Sequence, residues 1–220
     1  MEKLKYLWCV LLVILIPLSV LSLSGNIVLR LSETYVYHFN DSQVIRKLPT
    51  DLREVEIADE ITSYLNSPDK DHFQVYEENG KFKDALFSKK DSRAMVQVKH
   101  WLTKSAIAGL IFIGASIALY AVMAKSRQKK LLRISGYLWT LFVGIGLVIF
   151  NIVLRRKSVR KAIYGKFVGV ELARKSTLAF VLGDPFYSTF LLFFTMTAIL
   201  ITAIILYFNL KTSREERLFS

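Results

Sequence analysis

Apolar side chains gather in four long runs, Leu4–Leu23, Ser105–Ala124, Ile134–Leu154 and Tyr187–Leu210, separated by stretches where charge returns every few residues. Each run is about twenty residues long, the length at which a helix crosses a hydrocarbon layer about 30 Å thick. The pattern predicts an all-α integral membrane protein with four transmembrane helices, at 1–24, 103–124, 134–154 and 187–210. Lys3 and Lys5 ahead of the first run also suit a signal peptide, but the run is long and lacks an A-x-A site. It is therefore read as a span, with Pro17 inside it.

Between the first two spans the pattern shortens to that of a small external α(+β) lobe, 25–102. Pro49-Thr50-Asp51 looks like a helix start. The helix that follows would turn Val55, Ile57, Ile61, Tyr64 and Leu65 toward a neighbour and stop at Asn66-Ser67-Pro68. Phe73–Tyr76 alternates, and Glu77-Glu78-Asn79-Gly80 supplies turn chemistry, which predicts a short hairpin. The lobe is too small to bury a generous core alone, so it should rest on the ends of the spans.

The last stretch of the lobe, Ala85–Leu102, is amphipathic in helical register. Ala94, Met95, Val98, Trp101 and Leu102 share one side, and Lys90, Arg93, Gln97, His100 and Lys104 share another. This predicts an interfacial helix at the water–lipid boundary, forming the lip of a lipid-accepting hollow. The cations beside His100 disfavour imidazolium, which makes it a candidate general base. The plainer reading of His100 is a solvated boundary residue. His38 and His72 lie in the polar lobe and are expected to be exposed.

The net charge of +12 sharpens the topology. Five Lys or Arg follow the second span within nine residues, making 125–133 a basic cytoplasmic loop, and 211–220 a cytoplasmic tail. The segment 155–186 then falls outside with the lobe, although it is itself basic. Its cluster of Arg155, Arg156, Lys157, Arg160 and Lys161 reads either as a solvated helix end or as a clamp for lipid headgroups, in which Lys90, Lys99 and Lys104 would join it. Basic residues this close to bilayer spans point to lipid rather than nucleic acid. The single cysteine, Cys9, lies within the first run and has no partner for a disulfide. The chain has no phosphate loop, no H-E-x-x-H and no G-x-S-x-G, and nothing in it calls for a cofactor or a metal. The spans carry no acidic residue of the kind that marks a transport path.

Several fragments, in this order, resemble the bacterial family of the lipoprotein intramolecular transacylase, Lit. Ile61-Thr62-Ser63-Tyr64-Leu65-Asn66 is similar to a family LxDYLN. Leu86-Phe87-Ser88 with Met95-Val96-Gln97-Val98-Lys99 is similar to LFxxxExxHMxDVK. Asp184-Pro185-Phe186-Tyr187 looks like the Pro-x-x-aromatic entry to the last span. The resemblance implies a membrane acyltransferase that moves an acyl chain from the diacylglyceryl group of a lipoprotein to its N-terminal cysteine amine. Its partners would be membrane lipid and the lipidated N-terminus. It also implies a catalytic neighbourhood at Arg93, position 94, Gln97 and His100, with departures: Ala94 stands where the family has histidine, Gln97 where it has aspartate. The segment 155–185 holds no Phe-His pair, Lys166-Phe167-Val168 being the nearest fragment. Ala94 is then an introduced change, or His100 replaces the base, or the chemistry is absent. The rival to an enzyme is a membrane-anchored accessory or binding protein of the cell envelope.

Overall fold

The computed structural model describes residues 2–42, 44–48, 50–79, 82–125, 128–163 and 176–213. Helix α1 (Glu2–Leu29) runs through Pro17 and is followed by α2 (Ser32–Asp41), α3 (Glu54–Asn66), a hairpin of β1 (Tyr76–Asn79) and β2 (Phe82–Ala85), and α4 (Lys89–Lys125). Then come α5 (Lys129–Arg155), the short α6 (Lys157–Ile163) and α7 (Thr177–Leu182), and α8 (Asp184–Ser213). Four helices, α1, α4, α5 and α8, are long and apolar enough to cross a membrane. The protein is an all-α multi-pass membrane protein.

The interfacial helix expected at 85–102 is not a separate element. Nothing between His100 and Gly109 breaks or caps a helix, so the amphipathic stretch and the second span are one helix of 37 residues. At about 1.5 Å per residue it is roughly 55 Å long, more than a hydrocarbon layer needs.

Contacts divide the chain into two units. The first combines 1–25, 105–150 and 195–220. Here α1 and α4 approach closely because small residues meet: Ser22 Oγ donates to the Ser105 carbonyl at 2.7 Å, and a Cβ on Gly109 would lie 2.7 Å from Ser22 Oγ. On the other side Gly136 of α5 leaves room for Asn209 of α8, and Arg133 Nη2 donates to the Ser213 carbonyl at 2.9 Å. Leu141, Phe142, Val148, Ile149, Leu200 and Ile204 remain exposed, as side chains that lipid covers should.

The second unit combines 26–104 and 151–194. Its core gathers Tyr35 and Phe39 of α2, Ile57, Ile61, Tyr64 and Leu65 of α3, Phe73 and Phe87 around the hairpin, and Ala94 and Met95 of α4. Leu178, Val181 and Leu182 of α7 and Phe186 of α8 complete it. The lobe is thus closed by residues about a hundred positions away, which supply the apolar surface its own length cannot. Because 176–186 packs into the lobe core, the two lie on the same side of the membrane. Helix α2 was not legible as an element.

Three expectations for the lobe change. Helix α3 starts at Glu54 rather than at Thr50-Asp51, because Thr50 Oγ1 accepts from Leu52 N in a local turn and the cap falls at Arg53; Pro49 lies outside the described residues. The Glu56 carboxylate closes that end, accepting from Arg53 N at 2.9 Å and from its guanidinium at 2.8 Å. Val55 is 49% exposed, since it sits two residues from Ile57, across the helix from the buried stripe. The hairpin forms, but three residues later than its strand signal: Tyr76 pairs with Ala85 and Asn79 with Phe82, while Phe73 and Val75 sink into the core instead.

Candidate functional site

Helix α4 begins with a reciprocal cap. Ser88 Oγ accepts from Asp91 N at 3.1 Å and donates to the Asp91 carboxylate at 2.8 Å, and that carboxylate is almost wholly buried. The cap fixes the rotation of the next turns. Ala94, Met95 and Leu102 therefore face inward, whereas Lys90, Arg93, Gln97, His100 and Lys104 all face out. The apolar seam and basic stripe read from the sequence are both present.

Trp101 departs from its expected place. It is 43% exposed, with Lys104 Nζ over its ring at 5.7 Å, because it lies at the edge of the seam rather than within it. Ala94 has no exposed surface at all. The position where a base was looked for is sealed in the lobe core and carries only a methyl group. Arg93, Gln97 and His100 are on the outer face of the same helix, so the structure does not bring them to Ala94. One apolar groove of about 650 Å³ is lined by Tyr137, Leu141, Gly144 and Val148 on a single side of α5, and this hollow has no α4 residue in its lining. The expectation of a lip formed by 85–102 thus gains no support from this hollow.

The candidate headgroup cations separate into two kinds. Lys99 is half-buried: its Nζ donates to the Lys70 carbonyl at 2.7 Å and lies 4.6 Å from the Tyr64 ring centre, so it fastens α4 to α3. Arg160, in the same cluster as Arg155 and Arg156, donates to the Leu154 and Arg155 carbonyls at 3.0 Å each and caps α5. Lys90, Lys104, Arg155 and Arg156 are exposed. Lys166-Phe167-Val168 lies outside the described residues.

The sequence fragments that looked related meet in space. Tyr64 stands under Lys99 and meets Phe73 in a tilted ring contact at 5.1 Å, and Phe73 in turn meets Phe87 at 4.8 Å. Burial pushes the Tyr64 hydroxyl above its ordinary pKa, with the Asp71 charge adding to it. Asn66 Nδ2 donates to the Arg30 carbonyl at 3.2 Å, and Arg30 Nη1 donates to the Leu65 carbonyl at 2.8 Å, clasping the ends of α1 and α3.

One histidine escaped sequence reasoning. His38 was expected on the surface and is fully buried. Its Nε2 lies 3.3 Å from the Phe180 carbonyl, so that nitrogen carries the proton and donates. Its Nδ1 lies 3.4 Å from Ser42 Oγ, and its ring meets the edge of Phe186 at 5.3 Å. Phe186 also stacks on Tyr35 at 5.4 Å. Burial holds His38 below its ordinary pKa, against the opposing effects of the Phe180 carbonyl and Asp41. The available signal was the spacing of Tyr35, His38 and Phe39, one apolar helix face on which the histidine is flanked by aromatics. His72, by contrast, is exposed as expected.

These fragments, on this topology, have a counterpart among known proteins. The family model of the lipoprotein intramolecular transacylase Lit matches residues 10–156, which include α4's cap, Ala94 and the Lys99 clasp. The chain belongs to the Lit family. Solved structures of the membrane-integral Lit from Bacillus cereus share the fold over 97% of this chain. One is a variant with a histidine changed to arginine (TM-score 0.68, 95% of that chain covered) and another has a histidine changed to alanine (0.67, 96%). A third has a TM-score of 0.63 over 99% of its chain. Each is 18% identical to this sequence, so the likeness is one of fold. No curated protein sequence matches significantly.

Proposed function

We propose that this chain acts on the lipidated N-terminal cysteine of bacterial lipoproteins, as a Lit-type intramolecular transacylase. The observation that carries the reading is the family match across 10–156, the span that contains the α3 and α4 fragments and their Tyr64–Lys99 contact. In the proposed reaction the cysteine amine loses a proton and attacks the carbonyl carbon of the sn-2 ester. The tetrahedral intermediate collapses with cleavage of the carbon–oxygen bond to glycerol, and the freed alkoxide takes a proton. An amide and a lyso lipid result. Nucleophile and ester arrive on one molecule, so holding them in register can lower much of the barrier. The remaining requirements are a proton acceptor and donors for the oxyanion.

Ala94 favours a second reading, in which the chain binds this substrate class without turning it over, because a methyl group moves no proton. His100 is the imidazole on the same helix and faces outward. The two readings separate in one experiment: mass spectrometry of lipoprotein N-terminal peptides from cells lacking other N-acylating enzymes. An N-acylated lyso form made by the chain itself, and lost in His100→Ala, establishes transfer with His100 as base. A lyso form made only by Ala94→His establishes a substrate-binding fold without its base. If neither chain yields the lyso form, the proposal is wrong.

A further inference from the structure

The outward face of α4 carries Lys90, Arg93, Gln97, His100 and Lys104 in helical register, all exposed. The ion pair Arg53–Glu56 lies in the lobe, and the acid on α4, Asp91, is turned inward by its cap. This face therefore offers positive charge that no carboxylate of its own helix answers. Further along the same helix the exposed positions turn apolar at once: Ile107, Leu110 and Ile111. His100, Lys104, Ile107 and Ile111 follow one another at spacings of four, three and four, so cationic and apolar positions share one continuous stripe. Trp101, exposed beside Lys104, sits where the change occurs, the depth at which indole rings settle in a bilayer.

We infer that the cationic part of this stripe is a binding site for an anionic phospholipid headgroup, its phosphate held by His100 and Lys104, one turn apart on the outward face, with Arg93 adding positive charge to the same face. The chemistry selects phospholipid over the lipoprotein of the proposed function. A diacylglyceryl thioether carries no phosphate, so it offers these cations no anion to hold. The inference stands whether or not the chain transfers acyl groups. Long cationic side chains at a membrane boundary attract anionic headgroups strongly enough that two or three of them set the lipid at a site.

The test is native mass spectrometry of the full chain released from micelles holding equal amounts of phosphatidylglycerol and phosphatidylcholine with identical chains. The expected result is phosphatidylglycerol retained over phosphatidylcholine by about tenfold or more. Arg93→Gln/His100→Gln/Lys104→Gln should bring the two lipids to near parity. Arg46→Gln/Lys70→Gln/Lys211→Gln, which removes exposed charge elsewhere, should keep the preference. Parity in the unaltered chain, a preference that survives the first triple change, or one lost equally in the second overturns the inference. Displacement by soluble glycerol 3-phosphate would show a free-phosphate site and displacement by a diacylated lipopeptide a lipoprotein site; either result also overturns it.

Discussion

His38 shows how a single side chain ties distant parts of this protein together. Its ring is sealed among Phe39, Phe186 and the Phe180 carbonyl, and it joins α2 to the end of α7. Being held below its ordinary pKa of 6.5, the folded protein binds fewer protons here than the unfolded chain does. The stability that this uncharged ring contributes is therefore complete above pH 6.5 and declines as the pH falls below it. Thermal unfolding in detergent should show a midpoint that drops between pH 7.5 and 5.5, and the drop should shrink in His38→Gln. A midpoint with the same slope in both proteins would mean that other groups carry the effect. Position 94 teaches the complementary lesson. The same helix that places Arg93 and Gln97 in water places Ala94 in the core, so proton transfer there would require a larger side chain to find room among packed neighbours.

At the scale of elements, the continuity of α4 is the decisive feature. Its polar first third would be marginal as an isolated helix and is held by its cap, by the buried seam and by being part of a much longer helix. Ser88→Ala removes one side of the reciprocal cap and leaves the buried Asp91 carboxylate short of a donor. The expected cost is about 1–2 kcal/mol. Hydrogen exchange should show the first turn of α4 opening more readily, with the membrane-embedded part unchanged. Equal protection of the first turn in both proteins would show that the cap does not hold it. Elsewhere, Gly183 makes the turn between α7 and α8 possible, because a Cβ there would collide with the Ala179 carbonyl oxygen. That turn presents Leu182 and Phe186 to the lobe core.

For the whole molecule, the packing of 176–186 into the lobe core fixes which segments share a side of the membrane. If the basic loop after α4 lies inside, as the positive-inside rule expects, Asp69→Cys in the lobe and Arg156→Cys after α5 should both react with a membrane-impermeant maleimide in intact cells, in a Cys9→Ser background. Lys130→Cys should react only after permeabilisation. The opposite pattern would reverse the orientation, and different behaviour at 69 and 156 would contradict the shared core. The amino-acid sequence by itself determined the four spans, the α3 stripe, the hairpin, and the two-faced character of 85–102, since each is written in local periodicity and composition. The Lit resemblance was legible for the same reason: its fragments lie within single elements, such as Ile61–Asn66 and Met95–Lys99. Tertiary structure alone decided that His38 is buried, that Lys99 and Arg160 are structural while Arg93 and Lys104 stay exposed, and that the lobe borrows its core from α7 and α8. The physical reason is that burial and charge pairing depend on which side chains meet from distant parts of the chain, and helical periodicity says only which way a residue points, not what waits there.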